Sequence, residues 1–206
     1  DSSPSTISWR INQLKKDNLL FQVGRGLYSF EFKPDYLPEL SLKTKRIYNR
    51  VKQLHQADLI VWDTLMFSSI MGTEIEKQWI FLAVPKEEVE LLFDKMLNFS
   101  KQVFIQPDKE VINRYILPQN EVIIIVPLIS ETPLNQNTEY ITPTLEGLLV
   151  NAWIDAESLL EPMGININEL FQKAFSKYNV NQSKLLRYAS RRDKRKSLES
   201  LIKKLI

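Results

Sequence analysis

The sequence predicts a mixed α/β (α+β) protein: a small helix-and-hairpin unit, then an α/β body, then a helical C-terminal part. Three observations carry this. A helix-capping signal followed by two short apolar runs around Gly24-Arg25-Gly26 opens the chain. Short β-branched runs then alternate with amphipathic stretches. From Thr144 onward the apolar spacing stays helical.

Ser3-Pro4 opens the first helix, with serine as N-cap and proline at the first helical position. Ile7, Ile11 and Leu14 form one stripe and are expected to face a core. The opposite face carries Ser5, Trp9, Asn12, Gln13 and Lys16, and Asp17-Asn18 ends the helix. Leu19 to Val23 and Leu27 to Phe32 read as a hairpin, whose glycines supply the positive φ of a tight turn. Pro34 to Pro38 reads as linker, and a basic helix is expected from Thr44 to Gln56, with Ile47, Val51 and Leu54 inward.

Strands are expected at Ala57 to Trp62, Gln78 to Val84, Gln102 to Gln106 and Glu121 to Val126. Helices fall between them at Asp63 to Met71, Lys86 to Phe99 and Lys109 to Tyr115. In Lys86 to Phe99, the residues Val89, Leu92, Phe93, Met96 and Leu97 form the inward side. Helices at Thr144 to Trp153, Ile167 to Tyr178, Gln182 to Arg192 and Lys194 to Ile206 complete the chain. This divides it into an N-terminal unit (1–33), a linker (34–43) and a body (44–206).

Composition narrows the chemistry. No apolar run approaches the ~20 residues of a membrane span. Cysteine is absent and His55 is the only histidine, so disulfides, thiolate sites and cysteine nucleophiles are excluded. That usage fits a reducing, cytoplasmic setting. The chain opens on Asp1 rather than Met, so a processed or truncated start is expected.

The formal charge of +2 conceals a segregation. Residues 1–56 hold 10 Lys/Arg against 5 Asp/Glu, 57–176 hold 7 against 18, and 177–206 hold 10 against 2. Two basic ends around an acidic middle suggest a polyanion partner. Solvated helix faces would give the same pattern.

A helix followed at once by a hairpin with a basic tip is the second half of a winged helix-turn-helix, whose first helices this chain lacks. Ser5, Thr6, Asn12 and Gln13 can bond base edges or phosphates in a major groove. Arg10 and Lys16 suit phosphates, and Arg25 at the tip could reach the adjacent backbone or minor groove. Trp9 stands outward, where a large aromatic calls for a cover. The competing reading is a protein-docking module anchored on Trp9.

These motifs resemble the AbiE antitoxin family of bacterial abortive-infection systems. The resemblance rests on Ser5-Thr6-Ile7-Ser8-Trp9-Arg10-Ile11-Asn12-Gln13-Leu14, on Val23-Gly24-Arg25-Gly26-Leu27-Tyr28 and on Leu59-Ile60-Val61-Trp62-Asp63-Thr64. It rests most on Thr142-Pro143-Thr144-Leu145-Glu146-Gly147-Leu148-Leu149-Val150, Lys177-Tyr178 and Leu185-Leu186-Arg187-Tyr188-Ala189 up to Arg191-Arg192. Gly147 stands where that family has a lysine, and Asn151 where it has an aspartate. The resemblance implies a non-enzymatic, phage-defence regulator of a type IV toxin–antitoxin operon. Its winged helix would repress its own promoter, and its second domain, of nucleotidyltransferase-like fold, would oppose a nucleotidyltransferase toxin. In the founding members that opposition is indirect.

No catalytic set emerges. Nucleotidyl transfer needs a Gly-Ser turn and paired aspartates holding metal, and the sequence has neither Gly-Ser nor Asp-x-Asp, which leaves a degenerate nucleotidyltransferase-fold protein as a third reading. Glu74-x-Glu76 reads as a solvated pair and His55 as a surface or boundary residue, so no metal or cofactor is expected. The run Lys184, Arg187, Arg191, Arg192, Lys194 and Arg195 has two readings: an antitoxin or polyanion surface, or pairing with the acidic body. The basic helix with Lys45, Arg46, Arg50 and Lys52 is equally open.

Overall fold

The computed structural model of the protein describes residues 3–24, 26–55, 57–135 and 139–205. Ser3 caps α1 (Pro4–Lys16) by accepting the Thr6 N–H. Asn18, at φ 55°, takes the left-handed turn that sends the chain into β1 (Phe21–Gly24). An antiparallel partner, β2 (Leu27–Ser29), completes the hairpin, with a register shift between Gln22 and Gly24. The returning strand is shorter than expected, so Phe30 and Phe32 lie beyond it at 80% and 70% exposure.

The stretch after Phe32 carries no regular element until α2 (Leu42–Leu54), yet it is part of the core. Tyr36 and Leu40 are buried, and Tyr36 Oη donates to the Met66 carbonyl at 3.2 Å. The buried Asp63 fixes the start of α2: its Oδ2 accepts from Ser41 N–H at 3.1 Å and from Thr44 Oγ1 at 2.5 Å.

Alternating elements follow: β3 (Ile60–Asp63), α3 (Thr64–Met71), β4 (Gln78–Val84), α4 (Val89–Leu97), β5 (Val103–Ile105), α5 (Lys109–Val111) and β6 (Glu121–Pro127). The four strands form one mixed sheet in the order β3-β4-β6-β5, with β3 antiparallel at an edge and the other pairs parallel. Parallel strands need crossover helices, and α4 and α5 are those crossovers. Trp79 to Val84 and Val122 to Ile125 are buried without alternation, as strands covered on both faces must be.

Two short strands, β7 (Leu134–Asn135) and β8 (Thr142–Pro143), precede the helices α6 (Leu145–Asp155), α7 (Ile167–Lys177), α8 (Gln182–Arg191) and α9 (Arg195–Leu205). The sheet face carrying Ile60, Trp62, Phe81, Ala83, Ile124 and Val126 looks toward α6 and α8. The opposite face, with Ile80 and Ile123, looks toward α2 and α4. Glu146 joins the starts of α6 and α8: it accepts from Thr144 Oγ1 at 2.5 Å and from Asn181 N–H at 2.9 Å.

Several burial expectations are corrected. Ile7 is exposed and Ile11 and Leu14 only half-buried, because α1 meets little beyond its own hairpin and has no buried residue. Leu54 and Leu97, at the ends of their helices, are exposed, whereas Phe93 is half-buried and packs against the core as expected. His55, expected at the surface or its boundary, is buried. It lies at the end of α2 with Nδ1 3.7 Å from Glu88 Oε2, and burial holds its pKa below the ordinary imidazole value. Among the described residues no helix is long and apolar enough to cross a membrane.

Candidate functional site

The residues nominated for nucleic-acid contact stand together on α1. Ser5, Trp9, Arg10, Asn12, Gln13 and Lys16 are exposed and Thr6 is half-buried. Trp9 is 66% exposed. Ser5, Trp9, Asn12 and Lys16 recur at helical spacing and share one face. The hydroxyls of Ser5 and Thr6 cluster with Ser3 Oγ at 2.7 and 2.9 Å, at the end where the helix presents free N–H groups. Gln13 Nε2 donates to the Asp17 carboxylate at 3.2 and 3.3 Å, so a base contact would have to displace that bond. Lys15 Nζ donates to Gln22 Oε1 at 2.9 Å and ties the helix to the hairpin. Arg25 lies outside the described residues.

The C-terminal cations divide into engaged and open groups. Lys184 Nζ stands 3.8 Å from the buried carboxylate of Glu146. Arg187 and Arg191 both pair with Glu131, whose carboxyl is held below its ordinary pKa by the hydrogen bond from Arg191. Arg192 turns inward, with Nη1 3.5 Å from Tyr188 Oη. Lys194 and Arg195 are exposed and make no ion pair among the described residues. The hairpin approaches this helix: Leu27 shares a cleft with Glu131, Arg187, Arg191 and Arg195. The hairpin and the cationic helix α8, some 160 residues apart in the chain, therefore meet on one side of the molecule.

On α2 the cations face a different neighbourhood. Arg50 lies over the Phe99 ring at 4.5 Å, Lys45 is 5.8 Å from the Tyr140 centroid, and Lys43 pairs with Glu121.

A cavity of about 320 Å³ lies between the sheet and the inward sides of α6 and α8. It opens at the carboxyl ends of β4 and β6, where Ala83, Val126 and Pro127 line it. Trp62 and Phe81, stacked at 5.2 Å and 3°, line its apolar side. Asn151, Asp155, Ser158, Tyr188 and Arg192 form the polar side. Tyr188 Oη donates to Asn151 Oδ1 at 3.2 Å, and Thr132 Oγ1 stands 3.2 Å away.

Burial pushes Asp155 up to about 6, with Arg192 pulling the other way. Three backbone irregularities converge on the cavity. Two are π-helical turns, at Ile112–Ile116 and Ala156–Leu160. The third is Gln106, at φ 35° just after β5. Single π turns and strained φ angles concentrate at functional sites.

Sequence reasoning missed this cavity. The available signal was Asn151 and Asp155, one helical turn apart in the C-terminal half of a helix whose neighbours there are apolar. Among the described residues no group of three or more acidic or histidine side chains could hold a metal ion.

A family of unknown function, DUF6577, matches residues 6–206, and the chain belongs to that family. No curated protein matches the chain, and no solved structure does.

Proposed function

We propose that this protein is a DNA-binding transcriptional regulator and antitoxin of the AbiE type. In this reading α1 is the recognition helix and β1-β2 the wing of a winged helix-turn-helix. The observation that carries it is the exposure of the whole polar face of α1, from Ser5 to Lys16, beside a hairpin that leans on the basic helix α8. A helix meant only for packing would bury its apolar stripe, whereas α1 buries no residue.

In the proposed complex α1 enters the major groove. Asn12 and Gln13 read base edges, while Arg10 and Lys16 contact phosphates. Arg25 and the open cations Lys194 and Arg195 extend the phosphate track. The body, whose mixed sheet we read as nucleotidyltransferase-like in layout without that chemistry, serves the opposition to a nucleotidyltransferase toxin.

A second reading is favoured by a specific observation. Trp9, Phe30 and Phe32 are large, apolar and exposed on the same small unit, which suits a protein partner.

Fluorescence anisotropy with the upstream intergenic DNA separates the two. Under the DNA-binding reading, binding is sequence-preferring and weakens steeply between about 50 and 200 mM salt. Lys16→Ala and Arg25→Ala weaken it on all sequences, and Asn12→Ala or Gln13→Ala changes the preferred sequence. No binding even at low salt would remove the repressor assignment and leave the docking reading, tested by pull-down of the neighbouring gene's product.

A further inference from the structure

We infer that the cavity beneath α8 binds a planar, uncharged heterocycle of nucleobase or nucleoside class, gripped along its edge by Asp155, Asn151 and Ser158. This goes beyond the DNA-binding reading and stands independently of it.

The position is the first argument. In open α/β sheets, ligands bind outside the carboxyl ends of parallel strands, and this cavity opens at the ends of β4 and β6. Its volume of about 320 Å³ falls in the range of small-molecule pockets. That accommodates a base or a nucleoside, and leaves no room for a dinucleotide.

The second argument is the set of polar groups without partners. Asn151 is only 6% exposed, and one atom of its amide is engaged by Tyr188. The other amide atom has no hydrogen bond among the described residues and is not sealed off, so it is available to a group in the cavity that Asn151 lines. Neither the Asp155 carboxylate nor the Ser158 hydroxyl has a hydrogen bond or ion pair among the described residues. A carboxylate, an amide and a hydroxyl on one wall therefore face an apolar wall that includes Trp62 and Phe81.

This pairing of walls selects the ligand. A flat heterocycle has two apolar faces and an edge of alternating donors and acceptors. Its faces fit the slot against the sheet, while its N–H groups meet Asp155 and its carbonyl or ring nitrogen meets Asn151. A phosphorylated ligand fits badly, because the lining offers one cation, Arg192, and sets a carboxylate beside it. A cationic ligand is opposed by that same arginine.

The ionised form of Asp155 is the acceptor. The charged or titratable groups that line the cavity with it are Arg192 and Tyr188, both from the α8 side. Binding is therefore strongest above about pH 6 and declines below it, as Asp155 takes up its proton.

Calorimetric titration of the whole protein with adenosine, guanosine, cytidine and uridine, and with their 5′-monophosphates, tests this. At about pH 7.5 at least one nucleoside saturates the protein one-to-one below about 1 mM, its monophosphate binds more weakly, and affinity falls several-fold at about pH 5. Asp155→Asn, near-isosteric, weakens binding tenfold or more and removes the pH dependence. Ser158→Ala, on the partly exposed rim, weakens it about threefold and keeps the test valid should the first variant not fold. Absence of binding by all four nucleosides overturns the proposal. Tighter binding of a monophosphate overturns the uncharged assignment, and binding unchanged in both variants overturns the site.

Discussion

Gly147, in the first turn of α6, lies against the backbone of Pro133. A side-chain carbon placed on it would stand 3.0 Å from the Pro133 carbonyl oxygen and 3.2 Å from Cβ of Pro143. The carbonyl has little freedom to give way, since it accepts from the Thr144 N–H at 2.8 Å. Glycine costs a helix interior about 1 kcal/mol relative to alanine, so an exposed site would gain from Gly→Ala. Here the clash outweighs the gain, because overpacking costs about 1–3 kcal/mol. Gly147→Ala is therefore expected to lower unfolding stability in urea by about 1–2 kcal/mol. An alanine variant as stable as the parent, or more so, would refute the close-approach account. The lysine that the AbiE resemblance leads one to expect at this position would meet the same wall.

The contrast between Gly147 and the neighbouring strands shows what the sequence made legible. Gln78 to Val84 was readable to its limits because a strand buried on both faces writes an unbroken apolar run. The helices from Thr144 onward were readable from spacing for the same local reason. Burial on α1 was not, because an apolar stripe says that a helix can be covered and not that anything covers it. The cavity escaped notice because Trp62, Phe81, Asn151, Asp155 and Tyr188 come from four elements, and only the tertiary fold joins them. The choice between a free and a paired cation was equally hidden, since Glu131 lies 60 residues from Arg191.

That pairing makes a prediction about the proposed interface. Glu131 draws Arg187 and Arg191 into ion pairs on the side of α8 that the hairpin approaches. All three side chains remain substantially exposed, so the pairs contribute little to stability. Their effect on a polyanion is larger, because each phosphate contact with a cation releases about 0.9 counterion. Glu131→Gln is expected to leave the melting temperature nearly unchanged. It should steepen the slope of log affinity for duplex DNA against log salt by about 1–2. An unchanged slope would place α8 outside the DNA-binding surface.

Asp155 gives a stability prediction that does not require its ligand to be known. Its carboxyl is raised from the ordinary 3.8 to about 6, chiefly by burial. The folded protein therefore binds this proton more tightly than the unfolded chain does. The resulting stabilisation is fully present below about pH 4 and is lost as pH rises through about 6. A shift of some two units corresponds to an upper limit of about 3 kcal/mol. The carboxylate's access to the cavity reduces this to about 1–2 kcal/mol.

Asp155→Asn removes the ionisation and keeps the shape. In urea melts near pH 7.5 the variant is expected to be more stable than the parent by about that amount. Near pH 4 the two should converge. His55, which is buried and favours its neutral form, loses stability for both proteins as pH falls through its ordinary value and so cancels in the comparison. A variant that is less stable near neutral pH, or equally shifted at both pH values, would mean that Asp155 is held by a structural partner. A stabilised variant would mean that the fold tolerates a costly open carboxylate at the cavity wall, as expected of a group retained for binding.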